Sequence, residues 1–139
     1  MKYLSLIAAT MLAAGPALAD DQSADDVGWH IVMTVNAGME DAVLPLLDQM
    51  VSATKANEPG ALTYDYMGAG DQVHIVERYA DNAAAMTHMG NFGANFAEKF
   101  LQTFSVNSVA VYGPAGDDLK AVLEPFAPAY MARLSGYTR

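Results

Sequence analysis

Between Trp29 and Tyr112 the apolar positions switch repeatedly between the two-residue repeat of a strand and the three-and-four repeat of a helix. WHIVMTV (29–35) is β-branched, aromatic and almost wholly apolar, as an interior strand is. Asn36-Ala37-Gly38 ends it. From Met39 to Ala56 apolar residues recur at Val43, Leu46, Leu47, Met50 and Val51, behind Glu40 and Asp41, acids that favour a helix start. Pro45 removes one amide donor within that helix. Glu58-Pro59-Gly60 stops it and turns the chain. ALTYDYM (61–67) sets Leu62, Tyr64 and Tyr66 against Thr63 and Asp65, GAGD (68–71) is a short turn, and QVHIVERY (72–79) is the returning strand. Asp81 caps a second helix whose stripe is Ala85, Met89, Phe92, Phe96 and Phe100. Gly90 and Gly93 lie in its middle, each about 1 kcal/mol costlier there than alanine, which predicts a kink or a close approach to the backbone. SVNSVAVY (105–112) is the last strand. Asp117-Asp118 start a short helix that Pro125 and Pro128 interrupt, leaving a tail.

The order β-α-β-β-α-β with an extra C-terminal helix predicts an α+β, ferredoxin-like fold, a four-stranded antiparallel sheet with both helices on one face. Residues 28–113 form that domain, and 114–139 the C-terminal helix and tail. The other sheet face needs cover. Because the strands are apolar on both sides, with Trp29, Ile31, Tyr64, Tyr66 and Val111 among them, a second copy is expected there, making a homodimer.

Ahead of the first strand, MKYLSLIAATMLAAGPALAD has one lysine, a short apolar run and a small-residue site at Ala17-Leu18-Ala19, the pattern of a secretory signal cleaved near Ala19. Residues 1–19 are therefore set apart from the fold, residues 20–27 form a flexible acidic arm, and the expected location is periplasmic or secreted, with no membrane span. Sixteen acids against seven lysines and arginines give a net charge of −9, one unit more negative once Lys2 is gone. That balance argues against nucleic acid and anionic lipid as partners. With no cysteine there are no disulfides, no thiolate chemistry and no cysteine-ligated metal.

At ANEPGALTYDY and ERYADNAAAMTH the chain resembles the antibiotic biosynthesis monooxygenase (ABM) family, ferredoxin-like dimers that form an α+β barrel. The family's E-P-G-x-L-x-Y pattern matches Glu58, Pro59, Gly60, Leu62 and Tyr64. Its later pattern of Glu-x-aromatic, acid, alanine and helix histidine matches Glu77, Tyr79, Asp81, Ala84 and His88, with Tyr79 standing where the family often has tryptophan. The resemblance implies oxygenation of electron-rich aromatics such as quinols and anthrones by molecular oxygen with no metal or flavin, in a pocket between helices and sheet.

Spacing alone allows His88 to be a boundary histidine bonded to a carbonyl or carboxylate. The family position implies a second role, in which its imidazole accepts or orients the proton of a bound phenol. Glu77 and Tyr79 share one face of a strand. Glu77 is the candidate orienter of the histidine, and Tyr64, Tyr66, Tyr79 and Phe92 are the candidate pocket for a small aromatic ligand. No cofactor and no metal are expected. His30 and His74 stand on neighbouring antiparallel strands, and an offset of four residues puts their rings about 13 Å apart, beyond the reach of one ion. A haem-degrading branch of the same superfamily offers a weaker alternative, because its ligand position falls on Glu98. The expected function is an exported cofactor-independent monooxygenase acting on a small phenolic or quinol-like molecule. The alternative is a non-catalytic dimeric module that binds a small ligand.

Overall fold

The computed structural model describes residues 25–136. The segment read as an export signal, and most of the acidic arm, lie outside them. The elements are β1 (Val27–Val35), α1 (Glu40–Asn57), β2 (Ala61–Ala69), β3 (Gln72–Tyr79), α2 (Asn82–Asn95), α3 (Ala97–Thr103), β4 (Phe104–Tyr112), α4 (Asp117–Leu123), a 3-10 turn (Glu124–Phe126) and β5 (Ala129–Met131). The fold is α+β and ferredoxin-like. The sheet, however, has five strands in the order β2-β3-β1-β4-β5 and is mixed. The first four are antiparallel as expected, and the tail adds a fifth that runs parallel to β4, pairing Ala129 with Ala110 and Met131 with Tyr112. Among the described residues no helix is long and apolar enough to cross a membrane.

Alternation along the strands decides which side chains meet the helices. Val27, Trp29 and Met33 of β1, Val73, Ile75, Glu77 and Tyr79 of β3, and Phe104, Val109 and Val111 of β4 are all buried on the helix side. Two clusters fill the space beneath the helices. One gathers Val27, Trp29, Tyr79 and Ala85 with Val109, Val111, Leu119 and Leu123. The other gathers Met33, Leu46, Leu47 and Met50 with Ile75, Phe100 and Phe104. Ile31 and Val106 pack against both. The tail is part of this core, since α4 contributes Leu119 and Leu123, almost completely buried.

Three expectations need correction. The long second helix continues unbroken through Gly90 and Gly93, and no atom beyond the helix's own backbone would meet a Cβ added at either. It runs to Asn95 and restarts at Ala97 as α3, broken at Phe96, whose backbone leaves helical geometry with φ −129°. Secondly, Trp29, Tyr64, Tyr66 and Val111 do not make the open face apolar, because all of them turn toward the helices. That face carries His30, Val32 and Thr34 of β1, His74, Val76 and Arg78 of β3, Asp65 and Met67 of β2, and Ala110 and Tyr112 of β4, a mixed surface. Thirdly, His30 pairs with Val76 and Val32 with His74. The two histidines are thus diagonal neighbours, and their rings touch, His30 Nε2 to His74 Nδ1 at 2.9 Å.

Candidate active site

The site begins where α1 ends. Glu58 closes the helix, its amide bonded to the carbonyl of Thr54, and Pro59-Gly60 turns the chain into β2. This turn presses against the start of α2, where a Cβ on Gly60 would stand 2.6 Å from that of Ala84. Only glycine permits the approach. The first turn of α2 is fixed by the Asp81 carboxylate, which accepts from the amide of Ala84 at 2.8 Å. His88, one turn further on, is thereby held beside Glu58.

His88 is buried between two buried carboxylates. Its Nδ1 lies 2.8 Å from Glu58 Oε2, and its Nε2 3.5 Å from Glu77 Oε2. Asn91, one helical turn beyond Thr87, donates to the other Glu58 oxygen at 3.1 Å. The two distances assign the tautomer: the short contact at Nδ1 takes the proton of the neutral ring, and Nε2, at the longer distance from Glu77, is left as the acceptor. Glu77 is tied from behind. The Tyr79 hydroxyl donates to it at 2.5 Å, and the Trp29 side chain supplies a second hydrogen bond. Burial raises the Glu77 carboxyl above its ordinary range, while the neighbouring His88 and the bonds from Tyr79 and Trp29 pull it back.

An apolar cavity of about 40 Å³ opens beside the His88 ring. It lies at the seam of the two core clusters, with Trp29, Tyr64, Tyr66, Glu77, Phe92 and Phe126 in its wall. Tyr66 donates to the Tyr64 hydroxyl at 2.9 Å, and Tyr64 meets the His88 ring edge-on at 5.3 Å between centroids. Burial, more than any neighbouring charge, pushes both hydroxyls above the ordinary phenol range, so they remain donors.

His88, Glu77, Tyr64, Tyr66 and Phe92 are therefore brought to one place. Tyr79 is not in the wall; it is wholly buried behind Glu77, where it anchors that carboxylate. Glu58, given no role from the sequence, makes the shorter bond to His88. Trp29, Asn91 and the C-terminal residues Leu123 and Phe126 were also missed. The site does not suit haem, because carboxylates face both nitrogens of His88, the cavity is far smaller than a macrocycle, and Glu98 is exposed.

The family profile of antibiotic biosynthesis monooxygenases matches residues 27–103, more than half the chain. This protein belongs to that family. Among solved structures, MupZ from Pseudomonas fluorescens superposes with a TM-score of 0.73 at 21% identity, over 83% of this chain and 95% of its own. Rv0793 from Mycobacterium tuberculosis does so at 0.51 and 24%, over 67% and 98%. A Bacteroides thetaiotaomicron protein named for the same family gives 0.55 and 18%, over 68% and 93%. At these identities the likeness establishes the fold. No curated protein matches the chain.

Proposed function

We propose that this ABM-family protein is an exported, homodimeric monooxygenase that oxidises a small phenolic or quinol-like aromatic with molecular oxygen and needs no cofactor. The observation that carries the reading is the Glu58–His88 pair at the wall of an apolar, aromatic cavity. A phenol seated there presents its hydroxyl to Nε2. Transfer of the proton to Nε2 leaves a phenolate, a better electron donor to oxygen, and places an imidazolium between two carboxylates that stabilise it. His88 is the base, Glu58 its principal orienter, and Glu77 the second anion. Tyr64, Tyr66 and Phe92 hold the ring, and Tyr79 holds Glu77.

The cavity sets a condition. A void that admits benzene has about 150 Å³, so a one-ring substrate enters only as the lining gives way. Leu123 and Phe126, supplied by the segment after β4, are the wall outside the sheet and the helices α1, α2 and α3. The homodimer rests on proteins of this fold being typically dimers and on the half-exposed Met67, Val76 and Tyr112 of the open face. The small cavity is also the feature that favours a second reading, a non-catalytic module.

Oxygen uptake by metal-stripped protein separates the two. Hydroquinones, catechols and anthrones are assayed with wild type, His88→Ala and Glu58→Gln, each checked for folding. Uptake above the autoxidation blank should fall at least tenfold in His88→Ala, about 1.4 kcal/mol of transition-state stabilisation. Substrate-dependent uptake that survives His88→Ala removes His88 from the mechanism, and binding without uptake leaves the module.

A further inference from the structure

On the sheet face opposite the cavity, two of the chain's three histidines stand against each other with nothing in the proposed reaction to explain them. His30 and His74 come from the adjacent strands β1 and β3, at positions two residues apart in register. Their rings lie 4.9 Å apart between centroids, inclined at 41°, with His30 Nε2 2.9 Å from His74 Nδ1. Across the next strand pair, Met67 of β2 is the direct partner of His74. It lies on the same face, is 50% exposed, and its unbranched thioether is free to swing toward the rings.

We infer that His30 and His74, with Met67 beside them, form a binding site for a copper ion. Two nitrogens about 2.05 Å from one ion at a right angle stand about 2.9 Å apart, and at a tetrahedral angle about 3.3 Å. The observed spacing therefore needs at most a few tenths of an ångström of adjustment. Binding releases no net proton: the N–H that one ring directs to the other moves to the far nitrogen of its own ring, and both rings turn so that the two facing lone pairs converge on the ion. Two imidazoles and a thioether are poor ligands for magnesium or calcium and good ones for copper, and copper(II) outbinds zinc at nitrogen sites. The negative charge of the whole chain, −9, raises the local concentration of cations. The closest basic side chain on this face of β3 is Arg78, four residues from His74, and it is turned to Asp26 at 3.6 Å. The site lies on the face assigned above to the second copy.

Trp29 is the only tryptophan and is adjacent to His30, so it reports on the site. The full chain, as it assembles in solution, is titrated with copper(II). Tryptophan fluorescence should quench to saturation at one ion per chain, and the electron paramagnetic resonance spectrum should carry hyperfine structure from two imidazole nitrogens. His30→Gln and His74→Gln should each weaken the binding at least tenfold. Met67→Leu should weaken retention of copper(I), measured against a coloured cuprous chelator, more than it weakens copper(II). The nitrogen pattern is read on wild-type protein, so it decides even if a variant misfolds. Copper(II) bound with only oxygen ligands, or with equal affinity in both histidine variants, overturns the assignment.

Discussion

Replacing Glu58 tests the part of the site that the sequence did not reveal. In Glu58→Ala the His88 Nδ1–H and the Asn91 amide both lose their acceptor, in surroundings where His88 is 4% exposed. A buried donor left without a partner costs roughly 1–3 kcal/mol. Two are left here, one of them partly exposed, and because His88 is neutral no buried charge is stranded. Glu58→Ala should destabilise the protein by about 2–4 kcal/mol, an appreciable share of the roughly 5–15 kcal/mol typical of a domain. At about 3–5 °C per kcal/mol for a chain of this size, the melting temperature should drop by about 6–20 °C. Glu58→Gln keeps an acceptor and loses the charge, and should fall between, at about 1–2 kcal/mol.

Urea unfolding followed by circular dichroism gives these values, provided the slope m is unchanged. A cycle with His88→Ala isolates the pair, with a coupling of at least about 1 kcal/mol expected. Nitrogen-15 spectra of the ring supply an independent reading, and the proton should be found on Nδ1. If Glu58→Ala unfolds within about 0.5 kcal/mol of wild type, or the proton resides on Nε2, Glu58 does not hold the ring and Nε2 is not the base.

Glu77 makes the site sensitive to pH. Its carboxyl is raised in the folded protein, chiefly by burial, so the native state holds that proton more tightly than the unfolded chain, and stability falls as pH climbs from the ordinary value of 4.5 toward the folded one. Glu77→Gln removes this dependence. The variant should match wild type at pH 4 and gain on it toward neutrality in urea titrations, and a difference that stays constant with pH would refute the burial cost. Gly60→Ala places its Cβ 2.6 Å from that of Ala84, and overpacking of this kind costs about 1–3 kcal/mol. Adding Ala84→Gly relieves the contact for about 1 kcal/mol of helix propensity, so the double variant should be less destabilised than the two single effects added together. Strict additivity would mean that the turn does not press on α2.

What the sequence could and could not disclose divides along physical lines. Parity is local. The alternation of QVHIVERY placed Glu77 with Tyr79 on one face, and the structure keeps both on the helix side. Periodicity likewise put His88 one turn before Phe92, at the edge of the stripe that meets the sheet, and both line the cavity. Register is not local. His30 and His74 were placed far apart by assuming an offset of four residues, and the observed offset of two preserves every face while bringing the rings into contact. An even-numbered slip leaves the hydrophobic pattern unchanged, so no reading of that pattern could have detected it. The strand β5, three residues long and following two prolines, has too short a repeat to show.

Glu58 is a different case, because its signal was present. The C-terminal end of a helix carries partial negative charge and favours cations, yet α1 ends on an acid, with Lys55 the only base in its last turn. Placing a carboxylate there is unfavourable unless something else stabilises it. The turn that follows, with glycine where α2 comes closest, directs that carboxylate inward to His88 Nδ1 and Asn91. A helix-ending acid followed by Pro-Gly is thus legible as one partner of a buried pair. Its mate needed the second helix to be positioned in space, and the contact between Gly60 and Ala84 positions it.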